Sequence, residues 1–385
     1  MKRKKHVFLA AVLAGVIGGT LPVTALAASP EFARTPEEWE GLRDNRLEYD
    51  EIGDLIHEYN ATVQNNQYEY NEFVKDYGTT KDDVADEYRQ LADDLEADKS
   101  GDDSAMSRIS DLQLTQQAKQ LREQADDNVE DSHTYYLTYS QAEDNLVLSA
   151  QSRFISYYSQ KLELQEAQLE KQVLENELAL VQTRRQAGTA TDMDVLDAQE
   201  AVLEQESAIE EQEQSIESTR IKLITMLGWS GSDQPEIGGL PEADLSEIDG
   251  IDLEADQQTA LDNNYTLQIN QRKLENAQDS DNRKNIQNTI EDNKRQIKAS
   301  VTSAWQDLQT AKRSLEQARS AEETQSRSLS LAAQKRSVGM VTGYEYRQEE
   351  ISMEQKKLET EMAELSLLES LETYRWNVNG LASAE

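Results

Sequence analysis

The placement of proline and glycine constrains this chain more than any other feature. The five prolines are Pro22, Pro30, Pro36, Pro235 and Pro241, and no glycine falls between Asp102 and Ala187 or between Ile251 and Val338. Proline removes a helical hydrogen bond and glycine weakens a helix, so two very long intervals are free to run as helix without a break. Gly228, Gly231, Gly238, Gly239 and Gly250 crowd the centre beside two of the prolines. Residues 228–250 therefore read as a linker between a first half, 28–227, and a second, 251–385. Aromatic residues make only 6% of the chain, too few for a large β-protein or a doubly wound α/β enzyme. The expected fold class is all-α.

The apolar residues say how these helices pair. Val195, Val202, Ile209, Ile216 and Leu223 recur every seventh residue, and Ala167, Leu174 and Val181 hold one heptad position upstream while Leu164 and Leu178 hold another. Ile351, Leu358 and Leu365 repeat the pattern in the second half. These are coiled-coil seams, and a helix from about Val195 to Leu227 would be roughly 50 Å long at 1.5 Å per residue. An elongated architecture of long antiparallel helices follows. Hydrophobic residues at 37%, placed in heptads, weigh against disorder.

Lys and Arg number 38 against 75 Asp and Glu, so the net charge of −37 makes nucleic acid an improbable partner. Most of these carboxylates fit the solvated outer faces of helices. No Cys is present, which excludes disulfides, thiolate metal sites and a lipid-modified Cys. At the start, Lys2, Arg3, Lys4 and Lys5 precede an uncharged stretch from Val7 to Ala28 that ends in Ala25-Leu26-Ala27-Ala28. That is the layout of a cleaved signal peptide over 1–27, with an uncleaved anchor as the competing reading. No second apolar run of that length occurs, so the mature chain is expected outside the cytoplasm without a transmembrane helix.

One pattern occurs twice. Arg185-Gln186-Ala187-Gly188-Thr189-Ala190-Thr191-Asp192-Met193-Asp194 and Arg336-Ser337-Val338-Gly339-Met340-Val341-Thr342-Gly343-Tyr344-Glu345 share R-x-x-G-x-x-T-x-x-[DE]. Gly188 and Gly339 are suited to the left-handed conformation that ends a helix. Thr191 and Thr342 then cap the next helix, with Asp194 and Glu345 three residues on as in a capping box. Each pattern reads as a tight turn between antiparallel helices, and its recurrence reads as an internal duplication. Glu58-Tyr59-Asn60 and Ala260-Leu261-Asp262-Asn263-Asn264 weakly mark the starts of the two units. The first unit is longer from its start to its tip, so one carries an insertion or the other a deletion.

On Gly188-x-x-Thr191-x-x-Asp194-Val195-Leu196-Asp197-Ala198-Gln199, the closing Met226-Leu227-Gly228 and the shorter Gly339-x-x-Thr342-x-x-Glu345, the chain resembles the TolC family of outer-membrane efflux proteins. The second unit departs from the pattern at Tyr346-Arg347-Gln348. The resemblance implies a homotrimer whose helices form a hollow α-barrel, with the hairpin tips docking on a membrane-fusion adaptor that serves an inner-membrane pump. The adaptor-contacting residues would be Ala187, Gly188, Thr189, Val338, Gly339 and Met340. Alternatively, Gly and Thr there only make the turn.

Members of that family insert transmembrane strands between their helices, and such strands need roughly 9 to 11 alternating residues. No such segment is found here. Residues 276–305 read as polar helix formers with no turn residue, Leu91 to Glu96 is charged, and the alternating run Tyr135 to Tyr139 is short. The expectation is a TolC-like α-barrel without the β-barrel, exported to the cell envelope or surface and ending in a cell wall; an outer-membrane location would require strands that this reading misses.

Enzyme readings find no support. His57 and His133 have no His neighbour at ligand spacing and are expected on helix surfaces; there is no P-loop, G-x-S-x-G or H-E-x-x-H. Asp98 to Ser104 lacks the order of a calcium loop and reads as a solvated turn. No catalytic residue, cofactor or metal is expected. The competitors to a transport duct are a secreted coiled-coil spacer of the cell wall and, more weakly, an acidic cation-binding surface protein.

Overall fold

The computed structural model describes residues 36–102 and 104–384, so the expected signal peptide lies outside the described residues. Helices α1 (Pro36–Arg43) and α2 (Ile52–Tyr59) flank a two-residue strand β1 (Arg46–Leu47) and are followed by α3 (Ala61–Tyr77), α4 (Lys81–Ala97) and α5 (Ala105–Asp126). Then come the first long pair, α6 (Ser132–Gln186) and α7 (Asp192–Met226), and β2 (Glu236–Ile237) with α8 (Leu245–Asp249). After α9 (Leu253–Asn263) and α10 (Tyr265–Asn276) stand the second long pair, α11 (Ser280–Ser337) and α12 (Gly343–Trp376). Of the described residues, 83% are helical. At 1.5 Å per residue, the 55 residues of α6 and the 58 of α11 extend ~82 and ~87 Å.

The long helices form a row in the order α7, α6, α12, α11. Lys171 of α6 pairs with Glu206 of α7 at 2.9 Å, and Arg319 of α11 with Glu364 of α12 at 2.9 Å. Between the hairpins, Trp376 Nε1 donates to Gln151 Oε1 at 2.7 Å and Arg347 donates to Asn176 at 3.5 Å, so α12 lies antiparallel along α6. Away from the tips the row continues as α3, α6, α10, α11. Tyr139 donates to Glu69, Tyr265 to Asp144 at 2.6 Å, and Asn270 to Asn293 at 2.8 Å across these contacts.

Helices α3 and α10 stack end to end on α7 and α12 through one device used twice. Asn60 caps α3, its Oδ1 accepting from the Thr62 and Val63 amides, while its Nδ2 donates to Met226 O at the end of α7 at 2.8 Å. Asn264 caps α10 through the Leu267 amide at 3.0 Å and donates to Gly380 O at 3.1 Å and Ala382 O at 2.8 Å, just past α12. The backbones meet closely at both joints. A Cβ on Gly228, whose φ is +97°, would lie 2.4 Å from Tyr59 Cβ, and one on Gly380, φ +125°, 2.9 Å from Asn263 O.

The core surrounds these joints as a belt. Ile52, Leu55, Ile56, Phe154, Ile155, Leu223, Ile224 and Leu227 make one cluster, and Ile248, Leu267, Ile297, Val301, Leu308, Leu371 and Tyr374 another. Part of the segment read as a linker joins this belt: β2 pairs in parallel with β1, Arg46 opposite Glu236 and Leu47 opposite Ile237. Tyr158 also donates to Gly238 O at 2.6 Å.

Two expectations are corrected here. Residues 276–305 are not one passage of helix, because α10 ends at Asn276 and Asp279 caps a new helix by accepting from the Asp281 and Asn282 amides. A carboxylate at an N-cap starts a helix as well as glycine or proline ends one. His57 is not a surface residue either: its Nδ1 lies 2.6 Å from Glu143 Oε1 and its side chain is 11% exposed, since α2 lies flat on α6.

The two halves of the chain, taken as expected from the sequence, also differ in how they pass from their first helices to their long ones. In the second, α10 reaches α11 through the short turn at 277–279, whereas in the first, α3 reaches α6 through the hairpin α4–α5. Both passages meet at Asp131, the fully buried cap of α6, which accepts from the Thr134 amide at 3.0 Å, Asn276 Nδ2 at 3.0 Å and Arg272 Nε at 2.6 Å. Burial works against the Asp131 carboxylate, but the hydrogen bonds from Asn276, Thr134 and Arg272 outweigh it and hold its pKa below the ordinary value. Leu91 to Glu96 lies within α4, Tyr135 to Tyr139 within α6 and residues 280–305 within α11. No described helix is long and apolar enough to cross a membrane.

Candidate functional site

The two hairpin tips lie at the same end of the row, about the full length of α6 and α11 from the Asp131 junction. Each is built by the same sequence of hydrogen bonds. At the first, the Gly188 amide donates to Arg185 O at 2.9 Å and the Thr189 amide to Arg184 O at 2.8 Å, with Gly188 at φ +73°. At the second, Gly339 donates to Arg336 O at 3.0 Å and Met340 to Lys335 O at 2.9 Å, with Gly339 at φ +75°. These bonds satisfy carbonyls that a helix end leaves without partners, and the reversal they require needs a left-handed residue.

The next helix begins at once. Thr191 Oγ1 accepts from the Asp194 amide at 3.2 Å while Asp194 Oδ2 accepts from the Thr191 amide at 2.7 Å. Thr342 and Glu345 exchange the same pair at 3.1 and 2.8 Å. Hydrogen bonds from the threonine amide and then its hydroxyl hold both carboxyls below their ordinary pKa. The shorter Asp194 closes its capping box as fully as Glu345 does.

What the tips present is a small turn with uneven apolar content. Val338 is 69% exposed and Met340 77%, whereas Ala187 and Thr189, also exposed, are smaller. Arg184 and Arg185 stand in the last turn of α6, and Lys335 and Arg336 in that of α11, where a cation complements the helix C-terminus. Arg185 pairs with Asp192 across the first tip, and Arg336 covers the Tyr346 ring at 4.5 Å across the second. A Cβ on Gly188 or Gly339 would meet nothing within 4 Å. The tips are open to a partner surface. Among the described residues no group of three or more His, Asp or Glu could hold a metal.

A second feature, which the heptads alone do not specify, is the pair of bare edges. In the first hairpin no residue from 156 to 222 is buried, and the heptad residues Leu164, Ala167, Leu174, Leu178, Val181, Val195, Val202, Ile209 and Ile216 are only half-buried. Leu196 and Leu203 on α7 and Tyr68 on α3, the helices at one edge of the row, are more than half exposed, and Leu331 on α11, the helix at the other edge, is half exposed. Leu196 and Leu203 sit one position after Val195 and Val202, so a signal existed in a second apolar position beside the heptad.

No family model matches the sequence, and no curated protein does. Solved structures of similar fold include the following three. The outer-membrane channel OprN superimposes with a TM-score of 0.52 at 12% identity, covering 89% of this chain and 92% of its own. The outer membrane protein VceC of Vibrio cholerae gives 0.51 at 9% identity, over 86% and 96%. The CmeC outer membrane channel of Campylobacter jejuni gives 0.51 at 10% identity, over 97% and 95%. The fold of this chain is thus similar to that of bacterial outer-membrane channels along almost its whole length.

Proposed function

We propose that this chain, exported behind residues 1–27, is the subunit of a trimeric helical duct outside the cytoplasmic membrane, made of two tandem units around the 228–250 linker. The observation that carries the reading is the row of helices with both tips at one end and a bare apolar edge on each side. The α7–α3 edge of one copy and the α11 edge of the next are different surfaces, so their contact is head-to-tail, the kind that forms a ring when the rotation between copies closes. A ring covers Leu196, Leu203, Tyr68 and Leu331 together, and it would complete the half-buried seam of the first hairpin. The channel-like fold of the solved structures supports the same arrangement.

In this reading Ala187, Gly188, Thr189, Val338, Gly339 and Met340 dock on a membrane-fusion adaptor that serves an inner-membrane pump. In the same reading the helices of the outer end stand in place of the membrane strands of the TolC family, which suits an envelope in which the duct ends in a cell wall. Mass by light scattering of the exported protein, purified without detergent, tests the reading. Three copies per particle is the expected result, and a monomeric or dimeric rod would refute the duct and favour the wall spacer.

A further inference from the structure

The hairpin α4–α5 stands at the end of the molecule opposite the tips, and it is only half supported. Its base packs Val84, Ala85, Tyr88 and Ala125 against Phe73 and Tyr77, and Ser132 donates to Thr79 O there. Beyond Tyr88 the described hydrogen bonds and ion pairs are internal to the hairpin: Arg122 with Asp93 and Glu96, and Ser100 and Gly101 with Asp111. Beyond Tyr88 the two helices bury only small side chains, Ala92 and Ala118, between them. Nevertheless Met106, Ile109 and Leu112 form a stripe on α5 that is 80%, 58% and 68% exposed. Their spacing of three places them on one side of the helix.

The surroundings of this stripe point to its occupant. The exposed residues of α5 from Ala105 to Gln117 are alanine, serine, threonine, glutamine and these apolar side chains, with Arg108 the only charge. The chain as a whole is 29% charged and strongly acidic, so most faces of two copies repel one another. The outer face of α4, for example, carries Asp82, Asp83, Asp86, Asp93 and Asp94. A face free of exposed carboxylates is one on which acidic copies can meet, and glutamine, serine and threonine at its rim ask for no counter-ion.

We infer that the α5 stripes of the copies converge towards the axis of the assembly and pack on one another there, so that the α4–α5 hairpins form a helical collar at its outer mouth. The inference rests on the ring proposed above, which brings one hairpin per copy to the same end. The collar narrows the outer mouth with helices and holds it by Met106, Ile109 and Leu112.

The absence of cysteine allows a direct test. Ile109→Cys and, separately, Asp94→Cys on the exposed side of α4 are labelled with a maleimide while particle mass is followed by light scattering. In a trimer the thiol of the Ile109→Cys variant is expected to be protected, with labelling at least tenfold slower than in Asp94→Cys; Leu112→Cys should behave like Ile109→Cys. A trimer in which positions 94, 109 and 112 label at equal rates overturns the collar and leaves the ring standing. A monomer overturns both. Protection that arises only on adding phosphatidylglycerol vesicles would assign the stripe to lipid and overturn the collar.

Discussion

Asn264 should be the most costly single polar side chain to remove from the second joint. It is fully buried, its Oδ1 caps α10 at the Leu267 amide, and its Nδ2 serves the carbonyls of Gly380 and Ala382. Asn264→Ala loses an N-cap, worth about 1 kcal/mol. It also leaves two buried carbonyls without this donor, at about 1 kcal/mol or more each. The expected loss is about 3–4 kcal/mol, and with a urea m-value of about 2–3 kcal/mol/M the midpoint falls by ~1–2 M. Asn264→Asp keeps the cap but replaces the donor with a carboxylate facing two carbonyls, so it should be no milder. Tryptophan fluorescence is a suitable readout because Trp39, Trp229, Trp305 and Trp376 all pack against the belt. If Asn264→Ala unfolds within ~0.5 kcal/mol of wild type, the asparagine does not hold the joint and the stacking of α10 on α12 has another cause.

Asn60→Ala, which releases only Met226 O and the cap of α3, should cost about 2 kcal/mol in the same titration. Gly188→Val and Gly339→Val should each cost about 1–2 kcal/mol through backbone strain alone, since there is open space for the side chain, and thermal melts equal to wild type would contradict the left-handed turns. Val338→Asp with Met340→Asp should abolish recovery of an adaptor from crosslinked cells while helicity and particle mass persist; unchanged recovery would move the docking surface away from the tips. The depressed Asp131 carboxyl contributes stability that is fully present above its unfolded value, near 3.9, and is lost as pH falls through its lower folded value. The stability gap between wild type and Asp131→Asn should therefore close below about pH 4, and a gap that is constant with pH would refute the assignment.

The tips were legible because each is a local device: a glycine, a threonine and an acid at fixed spacing specify the turn without help from the rest of the chain. The passage at 277–279 was not, because punctuation was sought in glycine and proline, while Asp279 starts a helix by capping. Asn60 and Asn264 were visible only as faint markers of a repeat, since half of what each does depends on carbonyls more than a hundred residues away. The order of the row was hidden for the same reason. Heptads report that a helix has a partner face but not which helix fills it, and the leucines beside the heptad, Leu196 and Leu203, show that one pairing leaves surface uncovered.

The place of α12 in the row sets a timetable for folding. The hairpin α6–α7 and the hairpin α11–α12 each close through neighbours in sequence, so each can form rapidly as it emerges. The partner that lies along α6, however, is synthesised last, as Trp376 with Gln151 and Arg347 with Asn176 make plain. Until it arrives, the first hairpin must persist with its apolar seam open on both sides. Its dense carboxylates then serve a kinetic purpose, keeping unfinished chains apart during the interval before α12 docks. Truncated chains that stop before residue 343 would accumulate in that open state and mark the point at which assembly waits for the last helix.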